Sequence, residues 1–227
     1  MNEINKKPIF PLIRHLSKLI TPVLVNFPIS ANQITATSLL TGLAASLCVM
    51  MGDVLWDIAA GLLFIITYTL DNCDGEIARI KNQCSAFGMR FDSFVDWVVH
   101  SSLFASMGYG AAERFGNELW LWLGIVAAVG GTINYVLGFY MDSLHKARAE
   151  SEEAWEAMKT GEFSRKPEGI CDWMLFVFRE LMRADFCFIF LALAFADCVW
   201  LLVPFGAIGS QIYWISQFVR GASDFHV

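Results

Sequence analysis

Residues 71–96 read DNCDGEIARIKNQCSAFGMRFDSFVD, and four aspartates stand in this run: Asp71, Asp74, Asp92 and Asp96. The chain around them has 227 residues, 56% of them hydrophobic, and its flanking pattern is that of membrane helix. An aspartate near the centre of a membrane helix costs about 2.5–3.5 kcal/mol, and less near its end. Why the chain tolerates four of them decides both its fold and its chemistry.

The spacing gives a first answer. Asp71 and Asp74 are three residues apart, so on a helix they share one face with Gly75 and Ala78. Asp92 and Asp96 are four apart and share a stripe with Gly88 and His100. Residues Asn82 to Ala86 supply a turn, so the two helices form an antiparallel hairpin whose carboxylate faces are expected to meet across a small gap. The rise from Val54 to Asp71 is about 26 Å and from Asp96 to Ala112 about 24 Å. Both pairs therefore lie near one boundary of a hydrocarbon core about 30 Å thick. Four carboxylates so placed repel one another, and divalent cations relieve the repulsion. Hard oxygen ligands at small spacing favour Mg²⁺ or Mn²⁺, as two ions, over zinc. The competing reading pairs the aspartates with Arg79, Lys81 and Arg90 or leaves them hydrated; four in register across two helices weigh against it.

Outward from the hairpin, the composition fits one all-α integral membrane domain. Few charges, 14% aromatics and long apolar runs exclude disorder. No basic block interleaved with aromatics points to nucleic acid, so no nucleic-acid partner is expected. The net charge of −6 says little about partners, because position outweighs sum in a membrane protein. The six cysteines form no CxxC pair and read as buried thiols rather than a zinc site.

Six transmembrane helices are expected, over 33–51, 54–81, 86–112, 118–145, 184–199 and 200–220, with turns around Gly52 and Asp197. Ser30 to Gln33 reads as a Ser-x-x-Gln capping box opening the first. Before it, residues 10–25 form an N-terminal interfacial amphipathic helix interrupted by Pro11 and Pro22. Leu12, Ile13, Leu16, Leu19, Ile20, Val23 and Leu24 take its apolar side; Arg14, His15, Ser17 and Lys18 take the polar one. No uninterrupted apolar core with a small-residue cleavage site marks a secretory signal. The division expected is 1–30 as cytoplasmic N-terminus and interfacial helix, 31–221 as six-helix catalytic domain with a charged cytoplasmic loop at 145–170, and 222–227 as tail. Six spans leave Arg114 as the one basic residue on the outer side, so both termini are expected in the cytoplasm. The membrane expected is a bacterial inner membrane.

The run Asp71-x2-Asp74-Gly75-x2-Ala78-Arg79-x8-Gly88-x3-Asp92-x3-Asp96 resembles the signature of the CDP-alcohol phosphotransferase (CDP-alcohol phosphatidyltransferase) family at every fixed position. The resemblance implies an enzyme of phospholipid biosynthesis that moves a phosphoalcohol from a CDP-alcohol donor to a hydroxyl of an alcohol or lipid acceptor and releases CMP. It implies Asp71, Asp74 and Asp92 as metal ligands, and Asp96 as general base that also touches a metal. It implies a CDP moiety lying against Gly75, Ala78, Arg79 and Gly88, with Asn32 and Thr35 at the start of the first span as further nucleotide contacts. A homodimer among membrane lipids is implied as well. Small residues at Gly75 and Ala78 suit close approach of a nucleotide, and Arg79 suits phosphate.

Other positions stay open. His100 extends the Gly88-Asp92-Asp96 row and reads first as a satisfied membrane histidine, with a hydrogen bond to Asp96 as the alternative. Trp97 departs from the basic residue many members carry there, which weakens the inference of a phosphorylated acceptor. Asn134, Tyr135, Tyr140 and Asp142 are candidates for lining an acceptor pocket, against helix-end solvation for Asp142. The run Cys73 to Arg79 looks more like members with a CDP-linked head-group donor, inositol among them. The alternative is a CDP-diacylglycerol-dependent phosphatidyltransferase with a small polar acceptor, and the remote one a cation transporter.

Overall fold

The computed structural model describes residues 12–148 and 185–224, so the loop expected at 145–170 lies outside the described residues from position 149 onward. Every regular element among them is helical. Helix α1 spans Ile13–Val25, α2 Ala31–Val49, α3 Val54–Ile80, α4 Ala86–Phe115 and α5 Leu119–Arg148; α6 follows at Phe186–Phe195 and α7 at Leu202–Asp224, after a single 3₁₀ turn at Val199–Leu201.

Local chemistry sets these boundaries. The Ser30 hydroxyl accepts from Gln33 N while the Gln33 side chain returns a bond to Ser30 N, so the capping box forms and opens α2. Asp53 caps α3 through Leu55 N at 2.9 Å, and Ser85 caps α4 through Gly88 N at 3.0 Å. Four tight connections use a left-handed residue: Gly52 at φ +64°, Asn82 at +56°, Gly116 at +62° and Asp197 at +58°. Pro22 does not interrupt α1, which runs through it.

Two of these helices, α3 and the stretch Leu119–Met141 of α5, are both long and apolar enough to cross a membrane. The apolar segments Phe186–Phe195 and Val199–Ile215 are shorter, so length and composition alone carry two spans among the described residues rather than six.

The packing order differs from a simple hairpin. Helix α2 packs against both α3 and α4, while α3 and α4 scarcely touch; α5 lies on the far side of α4, α7 on α5, and α1 and α6 on α3. The reason is a small-residue face on α2. A Cβ on Gly42 would stand 2.6 Å from a Val99 methyl of α4 and 3.3 Å from the Thr67 methyl of α3. Side chains of α3 and α4 both reach the α2 backbone at that level only because Gly42 has no side chain. On α4 the buried stripe Val95, Val99, Leu103 and Met107, spaced four apart, joins the common core. Phe64 of α3 meets Phe190 of α6 edge to face at 5.3 Å.

Helix α1 also corrects an expectation. Ser17, assigned to the polar side, is fully buried together with Thr21, whereas Leu19, Ile20 and Val23 are exposed. Both hydroxyls donate to the Glu76 carboxylate of α3, at 2.9 and 2.6 Å, so the helix is turned to satisfy that acid.

Candidate active site

Toward the end of α3 that carries the aspartates, the gap left between α3 and α4 is lined by carboxylates. Asp71 and Asp74 of α3 and Asp92 of α4 each present an oxygen, and the three oxygens lie within 4.8 Å of one another. Asp74 is buried, Asp71 and Asp92 half-buried. Asp96, one turn along α4, is exposed and lies outside this triad, though near enough to act on Asp71 and Asp92 electrostatically.

Helix α2 brings its own contribution. The Thr35 hydroxyl donates to Asp74 Oδ2, holding one acid from the side. The Asn32 side-chain oxygen lies 3.3 Å from where a Cβ on Gly88 would stand, so that glycine lets the start of α2 reach the first turn of α4. This start is itself fixed from the turn between α3 and α4. Lys81 Nζ donates to the Phe27 and Ile29 carbonyls at 2.7 and 2.9 Å, and the Gln83 side chain accepts from Ala31 N at 2.9 Å.

The remaining expected contacts differ in exposure. Ala78 is half-buried, and Arg79 is exposed. A Cβ on Gly75 would meet nothing closer than the Arg79 guanidinium, at 3.6 Å. No protein packing demands a glycine there; its face is approached only by the Arg79 side chain. The reading that pairs the aspartates with basic side chains is not realised, since Lys81 is taken by carbonyls and the ion pair found among the described residues is Arg114 with Asp197.

Tyr68, three residues before Asp71, and His100, four after Asp96, meet across the gap at 2.8 Å. His100 Nδ1 lies 2.7 Å from the Asp96 backbone carbonyl, which only accepts, so Nδ1 carries the proton and the Tyr68 hydroxyl donates to Nε2. His100 is thus a satisfied histidine bonded to the backbone of Asp96. The residues expected to line an acceptor pocket have different surroundings. Tyr135 stacks on Trp97 at 4.9 Å, Trp97 donates to Thr132, Asn134 Oδ1 is buried without a partner, and Tyr140 is exposed. The side chain of Asp142 lies outside the described residues.

Sequence reasoning missed Glu76, Tyr68 and Asp185. Glu76 sits two positions after Asp74, on the opposite helix face, and that offset was the available signal. Asp185, fully buried, accepts from Leu12 N and Ile13 N at 2.9 and 3.0 Å and caps α1 from a distant part of the chain. Nothing local announces such a contact.

The triad fits a divalent ion. Oxygens on opposite sides of Mg²⁺ are about 4.2 Å apart, given bonds of about 2.1 Å, and all three donors are hard carboxylates. Three uncompensated acids at this distance would otherwise repel strongly.

Comparison with known proteins agrees. The family model described as CDP-alcohol phosphatidyltransferase matches residues 28–195. A curated "Bifunctional IPC transferase and DIPP synthase" from Thermococcus kodakarensis is 28% identical over 122 residues, 54% of this chain and 26% of that protein. The protein of the same name from Aquifex aeolicus is 27% identical over 177 residues, 77% of this chain and 38% of its own length. The chain thus spans well under half the length of either relative.

Proposed function

Because the chain belongs to the CDP-alcohol phosphatidyltransferase family, we propose that it moves a phosphoalcohol from a membrane-apposed CDP-alcohol to a hydroxyl acceptor and releases CMP. The observation that carries this reading is the convergence of Asp71, Asp74 and Asp92 within 4.8 Å beside the unpacked face of Gly75. The three aspartates would hold Mg²⁺ or Mn²⁺, with Asp96 completing a second site. Ions held by these residues would supply neutralisation of the pyrophosphate charge and of the departing CMP.

The chain's own residues do the rest. Thr35 fixes Asp74 by its hydrogen bond. The bare Gly75 face accepts the nucleotide, and Arg79, with no carboxylate partner among the described residues, is available to phosphate oxygens. Asp96, outside the triad and exposed, takes the proton of the acceptor hydroxyl as the new P–O bond forms. Open exposure suits that role, because an acceptor must reach it.

For the donor we favour a CDP-linked head group of the inositol kind, on the run Cys73 to Arg79. Likeness to relatives named for IPC transferase and DIPP synthase supports a transfer of that type. A CDP-diacylglycerol donor with a small polar acceptor is the second reading, and Trp97, in place of a basic residue, weakens the inference of a phosphorylated acceptor. Both termini on the cytoplasmic side, read from the distribution of basic residues, complete the proposal. Incubating the purified chain with a panel of CDP-alcohols and acceptors, and measuring CMP, tests it. CMP from a head-group donor is expected; CMP from CDP-diacylglycerol alone would select the second reading.

A further inference from the structure

Helices α3 and α4 carry the acids yet scarcely pack on each other; α2 spaces them at the level of Gly42, and beyond it toward the acids a further contact is needed to hold the distance between the two carboxylate faces. The structure assigns this task to Tyr68 and His100: they are positioning residues, a hydrogen-bonded crossbar that fixes the width of the gap in which Asp71, Asp74, Asp92 and Asp96 stand. The inference rests on the proposed phosphotransfer, which it deepens.

Three observations place the crossbar. First, it lies beside the place where Gly42 of α2 receives the side chains of both Thr67 and Val99, and Tyr68 and His100 are the next residues on each helix. From there toward the aspartates nothing but side chains spans the gap. Second, its two ends are anchored. Tyr68 is 8% exposed, held in the core with Phe64 and Phe190, and its ring meets the imidazole edge to face at 6.0 Å. On the other side His100 Nδ1 bonds the Asp96 carbonyl at 2.7 Å, so the ring orientation and the backbone that carries Asp96 are fixed together. Third, the neighbouring polar contacts run elsewhere. Thr41 meets Thr67 at 2.8 Å and Ser46 meets Ser102 at 3.1 Å, joining α2 to α3 and α2 to α4. They leave the direct α3–α4 span at this level to the Tyr68 hydroxyl and His100 Nε2, 2.8 Å apart.

A group that orients metal-binding acids without touching the ion typically changes metal affinity or activity about 10–100-fold when removed. Tyr68→Phe keeps the ring and its edge-to-face contact but removes the bond across the gap. His100→Ala removes the other half. Because both act through one bond, the double variant is expected to be no worse than the poorer single one. The control is Ser102→Ala, which breaks a hydroxyl contact of similar length between α2 and α4.

The test titrates Mn²⁺ into each metal-stripped variant in nanodiscs, reading bound ion by electron paramagnetic resonance, and follows CMP release and Tm in parallel. Tyr68→Phe is expected to weaken Mn²⁺ binding about tenfold or more and lower turnover similarly, with Tm close to the parent's; Ser102→Ala leaves Mn²⁺ affinity unchanged. Should Tyr68→Phe not fold, His100→Gln is titrated in its place, expected to show the same weakened Mn²⁺ binding. Parent-like Mn²⁺ affinity in the folded variant overturns the crossbar, as does equal weakening in Ser102→Ala. If the parent binds Mn²⁺ but releases no CMP from any donor, the phosphotransfer reading fails while the crossbar is still judged by the Mn²⁺ arm.

Discussion

The two ends of the α2–α3–α4 unit use the same residue type for opposite purposes. At the end away from the aspartates, glycine permits contact: a Cβ on Gly110 would collide with the Val49 carbonyl oxygen, and one on Gly108 would lie 2.7 Å from Gly124 Cα. Backbones touch there, and Arg114 grips Asp197 through both guanidinium nitrogens at 2.6 and 2.5 Å. At the aspartate end, a Cβ on Gly75 would clear its nearest neighbour at 3.6 Å, and the acids face a gap instead of a partner helix. One end is joined by backbone contacts; the other, in the proposed reading, is left for a ligand. Only the sterics around each glycine tell the two apart.

Substitutions sharpen the contrast. The largest effect is expected at Asp71→Asn and Asp74→Asn, which lose metal and CDP binding together. Calorimetry should find no donor binding, and CMP release should fall by more than the 10–100-fold typical of losing a supporting group. Asp96→Asn removes a proton acceptor with little change in shape, so turnover falls about 10²–10⁴-fold while donor affinity persists. Near-normal turnover in that variant would dismiss the base assignment. Loss of both metal and donor would make Asp96 chiefly a ligand.

The glycines separate the two ends directly. Gly110→Ala overpacks a backbone contact and should destabilise the fold by about 1–3 kcal/mol, with per-molecule turnover of the folded fraction intact. Gly75→Ala should leave Tm unchanged or raise it, since Ala favours helix by up to about 1 kcal/mol over Gly, while donor affinity drops. A stability loss at Gly75 would refute the open-face reading. The smallest effect belongs to Asp197. The Arg114 fork holds its carboxyl below the usual range, so the pair's contribution is present above the unfolded pKa of about 3.9 and is lost as pH falls through the lower folded value. Asp197→Asn should lower Tm slightly at neutral pH, and the gap to the parent should close on acidification below about pH 4.

Much of this was legible in the sequence because it is local. The Ser30–Gln33 capping box, the turns at Gly52 and Asp197, and the helical register that groups Asp71 with Asp74 depend on residues within one or two turns. What stayed hidden depends on separation in the chain. That α2 wedges between α3 and α4 follows from Gly42 meeting Val99, a contact no periodicity encodes. The buried Ser17 and Thr21 look like a polar helix face until Glu76 is seen to receive them, 59 and 55 residues away. Spans are harder still: α4 carries Asp92, Asp96 and His100, so its composition falls short of a membrane helix where its chemistry is richest.

The central claim is that three converging acids hold ions for CMP-releasing transfer. Its most direct test is CMP release from a CDP-alcohol panel by the purified, chelator-treated chain, with Mg²⁺, Mn²⁺ or Zn²⁺ then added back. The account predicts no CMP after chelation, recovery with Mg²⁺ or Mn²⁺, and poor recovery with Zn²⁺. Full activity in the metal-free chain, or no CMP from any donor under any metal, would contradict it.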